Sequence, residues 1–581
     1  MSWPALTLAE AHASMAAPGQ TFETVEALIL GVPQTVWKNA QPTMREVFVN
    51  ARAAHGPKDF LVYEGERATF EGFARATLAM AGHLAAMGVQ KGDRVAVAMR
   101  NLPEWPVAVL ATLLLGGIAA PINAWGTAPE LAYCLADSGA KVLVVDAERW
   151  ARLQPRLTEL PALQQVLVCR AAPDVALDDG RARHWDALLG PVAGWPALPD
   201  RPLPVVDLAP DDDATLLYTS GTTGAAKGAL GTHRCSTHTL MNSAFSVARS
   251  FVRRGEPVPD PVAAAAARPH QRALLLAIPF FHTTGCQVIL FGALAGGTKL
   301  VLMHRWEPER AMQLIQQEKV SQAGGVPTIA WQLIEHPRRG DYDLSSLESV
   351  SYGGAPASAA LVQRLGETFP KAQPGTGWGM TETCGTFTHH GAEDYIHRPD
   401  SAGPAMPVSQ MKICDDDGRA LPQGEVGELW VKGPNVVKGY WNKPAETAAT
   451  FVDGWLRTGD LGTLDAEGFL TIVDRKKDML IRGGENIYCA EVEAVLYRHP
   501  AVMDAGVVGQ AHPTLGEEPV AVVQFKPGAQ ASEDEIRHFV RGELAAFKVP
   551  VRVVVSTEPL PRNPNGKLMK PQLRQLFAQL A

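Results

Sequence analysis

Paired cysteines, basic tracts and bilayer-length apolar runs are all missing from this chain of 581 residues, and each absence removes a class of protein. The seven cysteines (Cys134, Cys169, Cys235, Cys286, Cys384, Cys414 and Cys489) are scattered, odd in number and never spaced as CxxC. That pattern argues against a disulfide framework or a zinc site, and for reduced thiols in a cytoplasmic protein. Asp and Glu (61) outnumber Lys and Arg (53), giving a net charge of −8 with no basic stretch, so no nucleic-acid partner is expected. The most apolar run, "VAVLATLLLGGIAAPI" at 107–122, is broken by Gly116, Gly117 and Pro121 and falls short of the roughly 20 residues of a bilayer span. It predicts a buried helix running into a strand. The amino terminus, "MSWPALTLAEAHASMAAPGQ", has no basic segment followed by an apolar one, so no secretory signal is expected.

What is present has the texture of an α/β enzyme. The length is too great for one hydrophobic core. "TFEGFARATLAMAGHLAAMG" has helical apolar spacing with Gly88 placed to end the helix, and "DRVAVAMR" and "AKVLVVD" read as short buried strands. The cadence returns in "ALLLAIPF", "EPERAMQLIQQEK" and "LESVSYGGAP". Strand–helix–strand at this interval predicts two doubly wound halves, each a parallel sheet covered on both faces. After residue 400 or so the writing changes to short strands and turns, as in "GEVGELWVKG", which reads as a β-barrel or meander, with a small β-barrel expected. The last hundred residues mix helices and strands enough for a small α+β domain. A seam at "DRKKD" divides the chain into 1–474 and 475–581. The Pro- and Ala-rich stretch 253–272 has no period and is expected to be a mobile surface insertion.

"YTSGTTGAAKG" at 218–228 concentrates glycines, hydroxyls and one lysine. It is not a Walker A loop, because its glycines are spaced differently and no Ser or Thr follows Lys227. The physical ingredients of an anion cradle remain, since glycines let backbone N–H groups approach an oxyanion while Lys227 adds charge. The preceding "ATLLYTS" reads as a buried strand, so the loop lies at a strand end, where open α/β sheets bind ligands.

Four further motifs follow in order: "TGWGMTET" (376–383), "GWLRTGDLG" (454–462), "DRKKDMLIRGGENIYCAEVE" (474–493) and "PRNPNGKLMK" (561–570). With the first, they resemble the core motifs of the adenylate-forming superfamily, which includes acyl- and aryl-CoA synthetases, firefly-type luciferases and peptide-synthetase adenylation domains. The resemblance runs from about residue 45 to 576. It implies an ATP- and Mg²⁺-dependent activation of a carboxylic acid to acyl-AMP, followed by transfer to coenzyme A as co-substrate. It further implies that Thr219, Ser220, Gly221, Thr222, Thr223, Gly224 and Lys227 hold phosphates. Gly354, Ala355 and Pro356 would form the adenine pocket wall, beside Trp378, Gly379 and Met380. Trp378 stands where the family most often has tyrosine, so a phenol contact is lost while an aromatic face for adenine is kept. By the same resemblance Thr381 meets the α-phosphate, Glu382 is the magnesium partner, and Asp460 and Arg475 contact the ribose. Lys477 is the hinge, Gly483 and Gly484 leave room for the pantetheine arm of coenzyme A, and His282 stands beside the acyl pocket. Lys567 bridges the carboxylate and the α-phosphate; its place after Asn565-Gly566, a turn-favouring pair, would set the ammonium at a loop tip.

For the acid, "QAGGVPTIAWQLI" at 322–334 has no charged side chain, and Gly324 and Gly325 are read as leaving volume. A medium- or long-chain fatty acid or another bulky apolar acid is expected, with arylalkanoic acids open. An acyl- or aryl-AMP ligase serving a carrier protein would share every motif, although no carrier-type "DSL" serine follows the last one. A luciferase-like oxygenase and a non-catalytic nucleotide-binding protein are the further alternatives, and a homodimer stays open.

Overall fold

The computed structural model describes residues 3–581 apart from 173, 175, 176, 178, 220–224, 354–358, 527 and 564–566. The first sheet has seven strands in the order 227–232, 213–219, 118–121, 94–98, 142–146, 165–169 and 182–184. All its pairings are parallel except that of Asp213–Thr219 with Lys227–Thr232. The apolar run does become a helix, Glu104–Leu114, buried at every position, and then the strand Ile118–Pro121. Val142–Asp146 is likewise buried throughout. Such continuous burial is what a parallel sheet with helices on both faces produces. The helix Phe70–Ala86 starts at Thr69, whose hydroxyl accepts the Gly72 N–H, and Gly88 follows it with φ +84.

The second sheet has eight strands in the order 390–391, 373–376, 349–352, 322–325, 273–276, 299–302, 59–63 and 66–69. Its inner pairings are parallel and its two outer ones antiparallel. A six-stranded antiparallel sheet, residues 403–475, stands where the small barrel was expected. Its outer strands, Gly403–Pro404 and Gln410–Cys414, are not paired with each other among the described residues. The first of these is two residues long, and Pro404 has no N–H to donate, so it makes a poor closing strand.

The small C-terminal domain is a five-stranded sheet with helices Cys489–Arg498, Glu533–Glu543 and Lys570–Leu580. Strand alternation splits its core: Val507 and Val523 pack with Val492, Leu496 and Ile536, while Val508 and Val522 pack with Leu573 and Phe577. Between the two domains Lys476 is tied to the six-stranded sheet by Asp416 at 2.7 Å and Glu428 at 3.3 Å.

The insertion is largely exposed, but it contains a short helix, Pro261–Ala266, capped by Asp260 accepting from the Ala263 N–H. No period announces this helix because it buries none of its residues. Its flanks are pinned by Arg254–Glu393 (2.9 Å) and Arg268–Glu348 (2.5 Å). Among the described residues no helix is long and apolar enough to cross a membrane.

Candidate functional site

Several of the singled-out segments begin where a parallel strand ends. The strand Asp213–Thr219 leads into the glycine-and-hydroxyl loop, Ala273–Leu276 leads toward His282, and Gln373–Thr376 leads into the Trp378 turn. Carboxyl ends of parallel strands form the ligand crevice of open α/β sheets. Ser220, Gly221, Thr222, Thr223 and Gly224 lie outside the described residues, as do Gly354, Ala355 and Pro356. The ends of the loop are described: Thr219 is the cross-strand partner of Lys227. The chain thus returns from the loop as an antiparallel strand and only then enters the helix His233–Arg253, unlike the strand–loop–helix of a Walker A site.

The "TGWGMTET" segment is a tight double-back that needs its glycines. A Cβ on Gly379 would lie 2.0 Å from the Gly385 carbonyl oxygen, and one on Gly377 would lie 2.4 Å from that of Thr388. Thr383 accepts the Met380 N–H at 2.9 Å and closes a single 3₁₀ turn, Thr381–Thr383, on which Glu382 is buried. Burial pushes the Glu382 carboxyl up, opposed first by the Tyr440 hydroxyl, which donates to Oε1 at 2.6 Å, and more weakly by the Lys567 ammonium.

Trp378 is not free to move. Its ring packs edge-on against Phe387 with centroids 6.0 Å apart, and its indole N–H donates to Asp460 Oδ2 at 2.7 Å. Asp460 is the cross-strand partner of Arg475, whose Nε stands 3.7 Å from Oδ1. Both expected ribose contacts are therefore neighbours, and the indole adds a donor where the family's tyrosine would carry a hydroxyl.

Lys567 comes from the other domain. Asn563 and Lys567 close a small hairpin: the Asn563 N–H donates to the Lys567 carbonyl at 2.9 Å and the Lys567 N–H to Asn563 Oδ1 at 3.0 Å. Arg562 anchors its base on Asp504 at 2.6 Å. The intervening Asn565-Gly566 lies outside the described residues. The ammonium lies within electrostatic reach of Arg475, Asp460, Glu382 and Lys477. Burial first, then Arg475, lowers its pKa to about 8 against the opposing pull of Asp460 and Glu382. His282 faces the same cation. Burial and Lys567 together push it down to about 3, so it is a neutral imidazole at working pH. The Thr284 N–H donates to its Nδ1 at 3.3 Å, which assigns the ring proton to Nε2.

Some residues are not gathered in. Gly483 and Gly484, with φ of +60 and +91, form the exposed two-residue tip of the hairpin Leu480–Arg482/Glu485–Ile487. Lys477, exposed in the turn after Arg475, where the Asp478 and Met479 N–H groups donate to the Arg475 carbonyl, does lie within electrostatic reach of Lys567. Gly324 and Gly325 require a correction. A Cβ on Gly324 would stand 1.8 Å from the Ser351 carbonyl oxygen, and one on Gly325 would stand 2.6 Å from Ile329 Cδ1. These glycines admit a neighbouring strand and a side chain that already fill the space, so they supply no pocket volume.

Sequence reasoning missed Tyr440 altogether. "VVKGYWN" matches no motif singled out in the sequence, and the only available signal was that a buried Glu382 must find a donor. Among the described residues no group of three or more His, Cys, Asp or Glu could hold a metal. A cation at Glu382 would therefore draw its other oxygens from phosphates and water, which suits Mg²⁺.

The AMP-binding enzyme family matches residues 48–441, and the AMP-binding enzyme C-terminal domain matches residues 491–567. The chain is 34% identical over 530 residues to a feruloyl-CoA synthase of Amycolatopsis, covering 90% of this chain and 97% of that protein. It is 33% identical over 498 residues to a long-chain-fatty-acid–CoA ligase of Mycobacterium tuberculosis, covering 85% and 90%. The solved o-succinylbenzoate coenzyme A synthetase of Bacillus subtilis, in complex with ATP and magnesium ion, superposes with a TM-score of 0.73 at 31% identity, over 92% of this chain and 99% of that one.

Proposed function

The chain belongs to the AMP-binding enzyme family and is an AMP-forming acid–thiol ligase, and from that premise we propose that it makes acyl-CoA from an apolar carboxylic acid in two steps at one site. The acid's carboxylate oxygen attacks the α-phosphorus of ATP, giving acyl-AMP and pyrophosphate. The thiol of coenzyme A then attacks the acyl carbon and AMP leaves. The observation that carries this reading is Lys567, delivered by the small domain into the group formed by Glu382, Asp460, Arg475 and His282.

The first step drives one anion onto another. Two unit charges about 4 Å apart repel by roughly 1 kcal/mol in water but roughly 4 kcal/mol at an effective dielectric of 20. Lys567 supplies a cation at the junction, and its partly desolvated setting strengthens that attraction. Asp460 accepts the ribose hydroxyls with Arg475 beside it, Thr381 meets the α-phosphate, and Lys227 with the loop it closes holds the departing pyrophosphate. Mg²⁺, when bound with ATP at Glu382, neutralises phosphate charge and polarises the phosphoryl oxygens. The boundary between domains is placed after residue 474, with Lys477 as the pivot that brings Gly483 and Gly484 in for the thiol step. A cytoplasmic location fits the unpaired cysteines.

The apolar-acid reading rests on the uncharged segment 322–334 and the neutral His282, with no help from the two glycines. A medium- or long-chain fatty acid is the first candidate. The similar identities to a feruloyl-CoA synthase and a fatty-acid ligase make aryl acids the direct competitor. A panel of fatty and aryl acids with ATP, Mg²⁺ and coenzyme A, scored separately for pyrophosphate and thioester, decides between them. Pyrophosphate release with no coenzyme A thioester for any acid would favour a carrier-protein acceptor.

A further inference from the structure

We propose that Tyr440 is a positioning residue for the nucleotide half of the reaction, holding Glu382 with its hydroxyl and Lys227 with its ring. The phenol O–H donates to Glu382 Oε1 at 2.6 Å, and the Lys227 ammonium stands 5.0 Å from the ring centroid. One side chain thereby touches both the buried carboxylate and the cation that closes the glycine-and-hydroxyl loop.

The backbone around Tyr440 is held on the same two sides. The Trp441 N–H donates to the Gly228 carbonyl at 2.8 Å and the Leu230 N–H to that of Gly439 at 3.0 Å, so Tyr440 bridges to Ala229 beside Lys227. On the other side the Val437 N–H donates to the Glu382 carbonyl at 3.0 Å. Behind it, Thr447 accepts the Tyr440 N–H at 2.9 Å. The backbone that carries the ring is thus fixed from three directions, and the ring packs edge-on against Phe451 with centroids 5.7 Å apart, as a spacer between two chain segments that must keep register.

The chemical consequence concerns the carboxylate. Oε1 is committed to the phenol, so Glu382 offers its remaining oxygen in a single rotamer. Mg²⁺ demands near-octahedral geometry and takes carboxylates sparingly, one oxygen at a time, alongside waters and phosphates. A carboxylate held this way is prepared for that demand. The ring face meanwhile holds the Lys227 ammonium, which has no anionic partner among the described residues for phosphate to displace.

This inference rests on reading Glu382 as the magnesium partner, and the test separates the two. ATP binding is measured by calorimetry with and without Mg²⁺ on full-length protein carrying Lys567→Ala, which removes turnover. The quantity read is the gain in ATP affinity on adding Mg²⁺. Tyr440→Phe keeps the ring and loses the O–H, and should cut that gain about tenfold, the worth of one hydrogen bond to a charged group, with metal-free ATP affinity unchanged. Tyr440→Leu should also weaken metal-free ATP binding. In a Glu382→Gln background, Tyr440→Phe should have no further effect on the gain. A gain that survives Tyr440→Phe but is lost in Glu382→Gln overturns the role of Tyr440 alone. A gain that survives Glu382→Gln overturns the metal reading beneath it. If Tyr440→Phe lowers the melting temperature and metal-free ATP affinity together, leaving the gain intact, Tyr440 is only structural and the inference falls.

Discussion

In the proposed adenylation step charge at a single atom is decisive, and Lys567 shows how narrowly it is set. Burial lowers its pKa to about 8, so the ammonium is present below that value and disappears as pH rises through it. For free enzyme, kcat/KM for pyrophosphate release should fall above pH 8; a profile flat to pH 10 contradicts the assignment. Lys567→Ala should lower pyrophosphate release roughly a hundred- to a thousandfold. Thioester formation from supplied acyl-AMP should be far less affected. Trp378 acts at the same scale through a different bond. Trp378→Phe removes the 2.7 Å donor to Asp460, and the KM for ATP should rise about tenfold with the KM for the acid unchanged. The identity of Trp378 was legible from its motif, whereas its bond to Asp460, 82 positions along the chain, was not.

Strands and turns explain why some readings of the sequence held and others did not. The buried runs became strands because an α/β core leaves continuous apolar text, and Gly88 ends its helix because it alone there takes a positive φ cheaply. Gly324 and Gly325 were misread for want of their neighbours: the sequence cannot say whether a missing side chain leaves space or admits something else. The Ser351 carbonyl occupies that space at Gly324. Gly324→Ala should accordingly cost roughly 1–3 kcal/mol of stability and lower the melting temperature, while the enzyme that still folds ranks acids as before. A shifted acid preference at unchanged melting temperature would restore the pocket reading. Tyr440 was illegible for the complementary reason, since its partners come from three separate stretches and no local pattern marks them.

Taken whole, the molecule brings one end of its small domain to Glu382, Asp460 and Arg475 and leaves another outside. Lys567 is in place, and the Gly483–Gly484 tip is exposed, with no heavy atom within 4 Å of a Cβ built at Gly484. Under the proposed function, the order of the two reactions maps onto two placements of one domain, and the present one is assigned to adenylation. Gly484→Leu should leave pyrophosphate release intact and cut thioester formation roughly a hundredfold, the scale of a small misplacement in a reacting pair. Equal loss in both half-reactions would argue that the tip has no separate task. The motif order in the sequence announced both ends of the domain, but only folding shows which of them is presented.

The tether at Lys476 has a mechanical consequence. Its ammonium is fastened to Glu428 and Asp416, and its N–H to the Gly459 carbonyl, so the upstream arm of the joint is clamped to the large body. If Lys477 is the pivot, as proposed, this clamp confines the twist to the residue just beyond and makes the joint an axle rather than a ball and socket. A domain on an axle would sweep a single arc, and each proposed cycle would carry the ammonium back to the same spot without a search.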